Sequence, residues 1–238
     1  MDIRVISIGA MAYNELWGEK QPVRTGHSTT TLIQSGSVRI LIDPGLPAQA
    51  LSARLGERAN LKPSDITHVF LTSFHPDARR GLELFPNAEW LISSTERETV
   101  GFPLASDLRT LAESGAFTDE ADEETRDLAE ALRREVAILQ RCQAAPDRLA
   151  PGVDLFPLPG VTAGMTGLLI PSARGDVLIC GDAVPTADHL AQGRAPMRCD
   201  DLAAAKVSLS EVVEIADVII PGRDNLAINP ARRLMTGI

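Results

Sequence analysis

The chain is poor in cysteine and has no close cysteine pair. Cys142, Cys180 and Cys199 are its three cysteines in 238 residues. An odd number at wide spacing disfavours a disulfide framework, a zinc knuckle and a redox pair. Cys180 also lies inside an apolar run, where we expect an inert buried thiol. These features fit a reducing compartment, so we expect a cytoplasmic protein.

Long apolar runs are missing as well. No window reaches the roughly 18 apolar residues that a membrane span needs. The segment MDIRVISIGAMAYNELW has an acid at position 2 and no apolar stretch leading to a small-residue cleavage site. We therefore expect neither a secreted protein nor one that binds membranes.

Positive charge is in deficit, with 23 Lys and Arg against 32 Asp and Glu, a net charge of −9. Such a chain is a poor general binder of nucleic acid or of anionic membranes. Nine acids and three arginines between Glu113 and Val136 carry −6 of that charge. This stretch could form a partner-binding surface, but we favour the interpretation that it is the solvent-exposed face of a helix.

What is present is the pattern of an α/β domain spanning residues 1–238, because short apolar runs alternate with helical ones. A helical excursion at about 93–149 separates two strand-rich halves. Within it, Ser106 is expected to cap a helix ending at Gly115, and Thr118, with Asp119 and Glu120, to cap a longer helix. Strands are predicted at 3–8, 28–34, 38–43, 67–72, 89–92, 153–158, 167–171, 176–180 and 217–220, and further helices at 47–58, 81–85 and 201–215.

Ionisable residues follow three of these strands directly. His75 and Asp77 come after the strand at 67–72, Asp182 after 176–180, and Arg223 after 217–220. Loops at strand ends can bring polar side chains together while the sheet stays rigid. We expect these four residues to form one site.

Five blocks of the sequence, in order, resemble the metallo-β-lactamase fold superfamily. They are LIQSGSVRILIDPGLP, ITHVFLTSFHPDARRGLELFPNAEWLIS, LFPLPGVTAGMTGLLIP, VLICGDAV and ADVIIPGRDN. The resemblance implies an αββα four-layer sandwich of two mixed β-sheets flanked by helices, with the site at the edge where the loops of both sheets meet. It also implies that Asp43 is a buried structural residue that orients neighbouring loops.

The family holds Zn or Fe ions with histidines and aspartates, and most of the histidines are missing here. Their positions are taken by Ser73, Ala78, Val161 and Arg223, so that His75, Asp77 and Asp182 remain. A zinc ion needs about three or four protein ligands, and a guanidinium can neither coordinate a metal nor lose its charge. We therefore expect no cofactor. Arg223 is expected to bridge Asp77 and Asp182, either in place of the metal or as a buried salt bridge without chemistry.

Two functions stay open, and with them whether the protein is an enzyme. The first is a metal-free protein that binds a small molecule or has a regulatory role. The second is a hydrolase of an ester, thioester, lactone or phosphoester. It would use one Zn, Fe or Mn ion on His75, Asp77 and Asp182, joined by His27 or His189, or use His75 and Asp77 as acid and base without metal.

Three further residues are candidate ligand-binding residues. His27 precedes the first hairpin, His189 follows the Gly-Asp block, and Arg79 or its neighbour Arg80 could bring positive charge to the pocket mouth. The alternative for each of these residues is an ordinary surface position with no role in ligand binding. The expected partner is a small molecule, for which an anion is one option, and the segment 93–149 could form a homodimer contact.

Overall fold

Apolar runs of the N-terminal half form the first sheet. The computed structural model describes residues 1–117 and 121–233. The sheet has the strand order β1-β2-β3-β4-β5-β6. Its first three strands pair antiparallel and the later ones parallel. The strands are β1 Asp2–Ser7, β2 Thr30–Ser35, β3 Val38–Ile42, β4 His68–Leu71, β5 Glu89–Ile92 and β6 Gln143–Ala144.

Strands of the C-terminal half form the second sheet, in the order β12-β11-β10-β9-β8-β7. β10 and β11 pair parallel, and the other neighbours pair antiparallel. The strands are β7 Arg148–Ala150, β8 Val153–Pro157, β9 Thr166–Ile170, β10 Val177–Gly181, β11 Val218–Pro221 and β12 Ala227–Ile228.

Helices cover the outer faces of both sheets. The α-helices are α1 Ala48–Ala59, α2 Pro76–Arg79, α3 Ser94–Glu113, α4 Glu123–Arg141, α5 Ala187–Gln192, α6 Leu202–Ile215 and α7 Pro230–Arg233, and 3₁₀ turns lie at Glu15–Trp17, Pro63–Asp65 and Leu82–Leu84. Among the described helices, none combines the length and the apolarity that a bilayer-spanning segment requires.

Three apolar clusters define the layers. Phe70 and Ile42 of the first sheet pack with Ile179 of the second in the central cluster. Leu55 of α1 belongs to the cluster on the outer face of the first sheet, and Val212 of α6 to the one on the second. Side chains alternate between the two faces of each sheet. One face therefore packs against the other sheet, and the opposite face packs against helices. This arrangement is the αββα sandwich that the family resemblance implies.

The helical region departs from the sequence-based boundaries. α3 begins at Ser94, twelve residues before the predicted cap Ser106, because the Ser93 hydroxyl accepts the Glu96 N–H at 3.1 Å. Pro103 lies inside this helix, although a proline usually ends one. The predicted cap at 118–120 lies outside the described residues, and α4 is capped by the carboxylate of Asp122.

Candidate functional site

Arg223 lies between two aspartates at the edge where the sheets meet. Its Nε and Nη2 donate to Oδ1 and Oδ2 of Asp182 at 2.8 and 2.6 Å, and its Nη1 donates to Oδ2 of Asp77 at 2.6 Å. The pair with Asp182 is bidentate, the strongest geometry for an arginine and a carboxylate. The contact expected from the sequence is present in the structure, while its role stays a proposal.

Strand ends position these three side chains. Asp182 follows β10, and Arg223 follows the parallel neighbour β11, so both lie at the same edge of the second sheet. Gly222 allows their close approach, because a Cβ there would lie 2.4 Å from Oδ1 of Asp182. Asp77 reaches the same point from α2, which follows β4 of the first sheet.

Burial and mutual attraction set the charges of the cluster. The side chains of Arg223, Asp77 and Asp182 are 7%, 19% and 18% exposed. Burial alone would raise the pKa of Asp182, but the charge and hydrogen bonds of Arg223 hold that pKa below its usual value. Burial would likewise lower the pKa of Arg223, but the two aspartates raise it above its ordinary value. Asp182 and Arg223 are therefore both charged at neutral pH.

Asp77 has a second cationic partner. Nη2 of Arg80 donates to Oδ1 of Asp77 at 3.0 Å and to the Gly26 carbonyl at 3.0 Å. The neighbouring Arg79 points elsewhere, since its Nε donates to the Phe74 carbonyl at 2.9 Å and its Nη2 pairs with Glu135 of α4. Of the two arginines expected to bring positive charge to the pocket mouth, Arg79 is buried under α4, and Arg80 is the one that lies beside Asp77.

His75 uses one ring nitrogen to cap α2. Its Nδ1 accepts the backbone N–H of Asp77 at 3.2 Å. A nitrogen that accepts this bond carries no proton, so the neutral ring has its N–H at Nε2. Among the described residues, none pairs with Nε2, and His75 lines the pocket. The Nε2–H group is therefore an unpaired donor on a residue that lines the pocket.

The residues present do not fit the metal centre that the resemblance implies. No three His, Cys, Asp or Glu side chains within the described ranges lie close enough together to hold an ion. The lone pair of His75 Nδ1 is engaged by a backbone amide, and the guanidinium of Arg223 occupies the space between the aspartates. A cation could enter only if this guanidinium moved away.

A pocket of about 310 Å³ opens over the cluster. Two chain segments cover it, and they meet where the Met197 N–H donates to the Glu15 carboxylate at 2.9 Å. Arg198 lies over the Tyr13 ring at 4.9 Å from its centre. The apolar part of the lining comes from Met11, Ala12, Tyr13, Pro22, Val161, Pro185, Pro196 and Met197. Such walls suit a small, largely apolar ligand.

Two predicted ligand-binding histidines lie outside the lining of this pocket. His27 contacts the Ile8 carbonyl at 3.2 Å and lines a different cavity. His189 is fully buried beside Thr186, whose hydroxyl contacts its Nδ1 at 2.8 Å. Burial lowers the pKa of His189, so its ring is neutral at pH 7. Burial also raises the pKa of Cys180, in keeping with an inert thiol.

Glu96 is a site-supporting residue that the sequence reading missed. It is 1% exposed and accepts the Phe74 N–H at 2.8 Å, the Thr162 hydroxyl at 2.7 Å and the Gly164 N–H at 3.2 Å. It therefore joins the loop before His75 to the loop that carries Val161. The spacing of Ser93 and Glu96, typical of a capping box, was the available signal.

Asp43 is buried and organises the end of β4. Its carboxylate accepts the N–H and the hydroxyl of Thr72 at 2.8 and 2.7 Å. Burial raises its pKa to about 7, with Asp182 adding to the rise, while Thr72 and Arg223 oppose it. The folded protein thus holds a proton there between about pH 4 and pH 7 that the unfolded chain releases.

Asp43 should therefore make the fold less stable as the pH rises through this range. The loss approaches about 1.4 kcal/mol per pH unit and ends once the folded group is deprotonated above pH 7. Urea unfolding of the wild type and of Asp43→Asn at pH 5, 6, 7 and 8 measures it. The wild type should lose stability relative to the variant from pH 5 to 7, whereas parallel curves would contradict the assignment.

Comparisons with known proteins agree on the fold. The family model described as the metallo-beta-lactamase superfamily matches residues 23–223. A Thermotoga maritima structure classed with the metallo-beta-lactamases is 19% identical over 95% of this chain and 98% of its own, with a TM-score of 0.65. The dizinc quorum-quenching lactonase AidC is 22% identical over 79% and 67%, with a TM-score of 0.59.

A third structure, the hydrolase AbOPH of the beta-lactamase superfamily, is 16% identical over 91% of this chain and 83% of its own, with a TM-score of 0.61. No curated protein matches the chain significantly. At these identities the structural likeness shows the fold alone.

Proposed function

Since the chain belongs to the metallo-beta-lactamase superfamily, we propose that it uses the pocket of that fold to bind a small molecule without a metal ion. The arrangement of Arg223 between Asp77 and Asp182 carries this proposal. Two buried carboxylates facing each other need a compensating cation, and the guanidinium supplies it through three hydrogen bonds. Together with Arg80, which pairs with Asp77, it matches the two carboxylates with two cations of the protein itself.

The pocket chemistry supports binding rather than hydrolysis. Hydrolysis of an ester or lactone needs an activated water or another nucleophile, and His75 is poorly placed to be the base. Its Nδ1 is engaged by the Asp77 amide, so in the neutral ring the other nitrogen, Nε2, already carries a proton. Arg223 lowers the pKa of Asp182 and so weakens it as a base. Both carboxylate oxygens of Asp77 already accept hydrogen bonds from arginines.

A hydrolase is the second candidate, because two of the similar structures are a lactonase and a hydrolase. It would require Arg223 to leave the aspartates so that His75, Asp77 and Asp182 could hold one ion. The donor set in the described residues does not fit that ion.

Metal content separates the two candidates. Protein incubated with Zn²⁺ or Mn²⁺ and then dialysed should hold well under one ion per chain by elemental analysis. The fourfold variant Ser73→His, Ala78→His, Val161→His and Arg223→His is the matched positive control, because it restores imidazole ligands at the lost positions. One retained ion per wild-type chain, with ester or lactone turnover abolished by Asp182→Asn, would overturn the proposal in favour of the hydrolase.

A further inference from the structure

Two charged side chains that line the pocket have no ion-pair partner among the described residues. They are the carboxylate of Glu15 and the guanidinium of Arg198. The other two carboxylates of the lining pair with arginines, so their charge is already compensated. Specificity for a ligand comes from charges that complement its own. Glu15 and Arg198 are therefore the residues that can select a ligand by its charge.

The Glu15 carboxylate has one oxygen that a ligand can reach. Glu15 is half-buried, and its Oε1 accepts the Met197 N–H at 2.9 Å. Its Oε2 accepts no hydrogen bond from the described residues and is not sealed from solvent. A hydrogen bond between an ionised donor and an ionised acceptor is stronger than one between neutral groups. The free oxygen therefore suits a primary ammonium group of a ligand.

The Arg198 guanidinium is exposed and lies over an aromatic ring of the lining. Its carbon is 4.9 Å from the centre of the Tyr13 ring. An arginine over a ring face keeps the N–H groups at its own edge available, and a carboxylate can accept two of them. Within the described ranges, no side chain or carbonyl accepts these N–H groups. The guanidinium therefore suits a carboxylate of a ligand.

The two unpaired charges lie next to each other. Arg198 directly follows Met197, whose N–H contacts the Glu15 carboxylate, and Tyr13 under the guanidinium is two residues before Glu15. A ligand that binds both must therefore carry its ammonium and carboxylate groups close together, as an α-amino acid does. The apolar part of the lining, which includes Met11 and Val161, is left for a third, apolar group of that ligand.

We propose that the pocket binds a free α-amino acid with an apolar side chain, whose ammonium group donates to Glu15 and whose carboxylate accepts from Arg198. The side chain of the ligand contacts the apolar wall that includes Met11 and Val161. The pocket volume of about 310 Å³ is at the lower end for small-molecule sites, as a ligand of this size requires. This inference rests on the proposed ligand-binding function, since it names the ligand class of the same pocket.

Leucine is the probe, and calorimetry should detect its binding to the wild type. Two analogues keep its apolar chain and remove one charged end each: isocaproate lacks the ammonium group, and isopentylamine lacks the carboxylate. Each analogue should bind at least about tenfold more weakly than leucine, because each loses a hydrogen bond between charged groups. The comparison therefore measures the contribution of each end of the zwitterion.

Two variants remove the charges on the protein side. Glu15→Gln keeps an oxygen that can accept the Met197 N–H and removes the negative charge, and Arg198→Gln removes the positive charge. Each should weaken leucine binding at least about tenfold. Glu83→Gln and Arg194→Gln are the matched controls, because they make the same changes at exposed positions outside the pocket lining. Both controls should bind leucine like the wild type.

An absence of leucine binding to the wild type up to the solubility limit of leucine would overturn the amino-acid site. So would isocaproate or isopentylamine binding as tightly as leucine, or an unchanged leucine affinity in Glu15→Gln or Arg198→Gln. None of these results bears on the metal content of the protein, by which the proposed function is judged separately.

Discussion

Replacing Arg223 by alanine should lower the free energy of unfolding by about 3–5 kcal/mol, the usual cost of removing one partner of a buried ion pair. The guanidinium is 7% exposed and holds two carboxylates that are themselves largely buried. Without it, Asp77 and Asp182 become like charges in a poorly solvated pocket, and water can compensate only part of the repulsion. Urea unfolding at pH 7 measures the loss.

A matched control and a double variant separate this charge effect from lost packing. Arg80→Ala removes a more exposed partner of the same Asp77 and should cost less than about 1 kcal/mol. Adding Asp182→Asn to Arg223→Ala removes one of the two uncompensated charges, so the double variant should be more stable than Arg223→Ala alone. An unchanged stability of Arg223→Ala would contradict the bridge.

The bridge could be predicted because the family resemblance places Asp77, Asp182 and Arg223 at positions of one shared site, each in a short block after an apolar strand. Each block places its ionisable residue directly past a strand end, and parallel pairing of β10 with β11 brings Asp182 and Arg223 to one edge. Opposite charges brought together at a sheet edge pair with each other.

Arg79 and Arg80 show which contacts can be predicted from the sequence and which cannot. Arg80 is three residues after Asp77 and shares its helix face, a local relation that spacing can predict. The partner of Arg79 is Glu135, far away along the chain, and only the packing of α4 against the first sheet brings the two together. The ring orientation of His75 is equally invisible in the sequence, because it depends on the start of α2.

The capping-box spacing of Ser93 and Glu96 predicts the start of α3 but not the contacts of the Glu96 carboxylate. Ser93 caps α3 as the capping-box spacing predicts, but the Glu96 carboxylate bonds to two distant loops instead of returning to the Ser93 backbone. Gly164 makes this possible, since a Cβ there would lie 2.0 Å from the Glu96 nitrogen. A long-range contact of this kind requires the tertiary structure.

Glu96→Ala should cost about 3–5 kcal/mol, because it leaves the buried N–H groups of Phe74 and Gly164 without an acceptor, each at roughly 1–3 kcal/mol. Glu96→Gln keeps one acceptor oxygen and should show a smaller loss. Glu98→Ala, on the exposed side of the same helix, is the control and should fall within about 0.5 kcal/mol of the wild type.

Glu96→Ala also tests whether the loop before His75 and the loop that carries Val161 form one wall of the pocket. If Glu96 holds them together, the amides of Phe74 and Gly164 should both exchange with deuterium faster in Glu96→Ala than in Glu98→Ala. Protection of Ile179, which lies in β10 of the second sheet and does not contact Glu96, should change less. Uniformly faster exchange throughout the chain would indicate a general loss of stability, and Glu96 would then have no specific part in shaping the pocket.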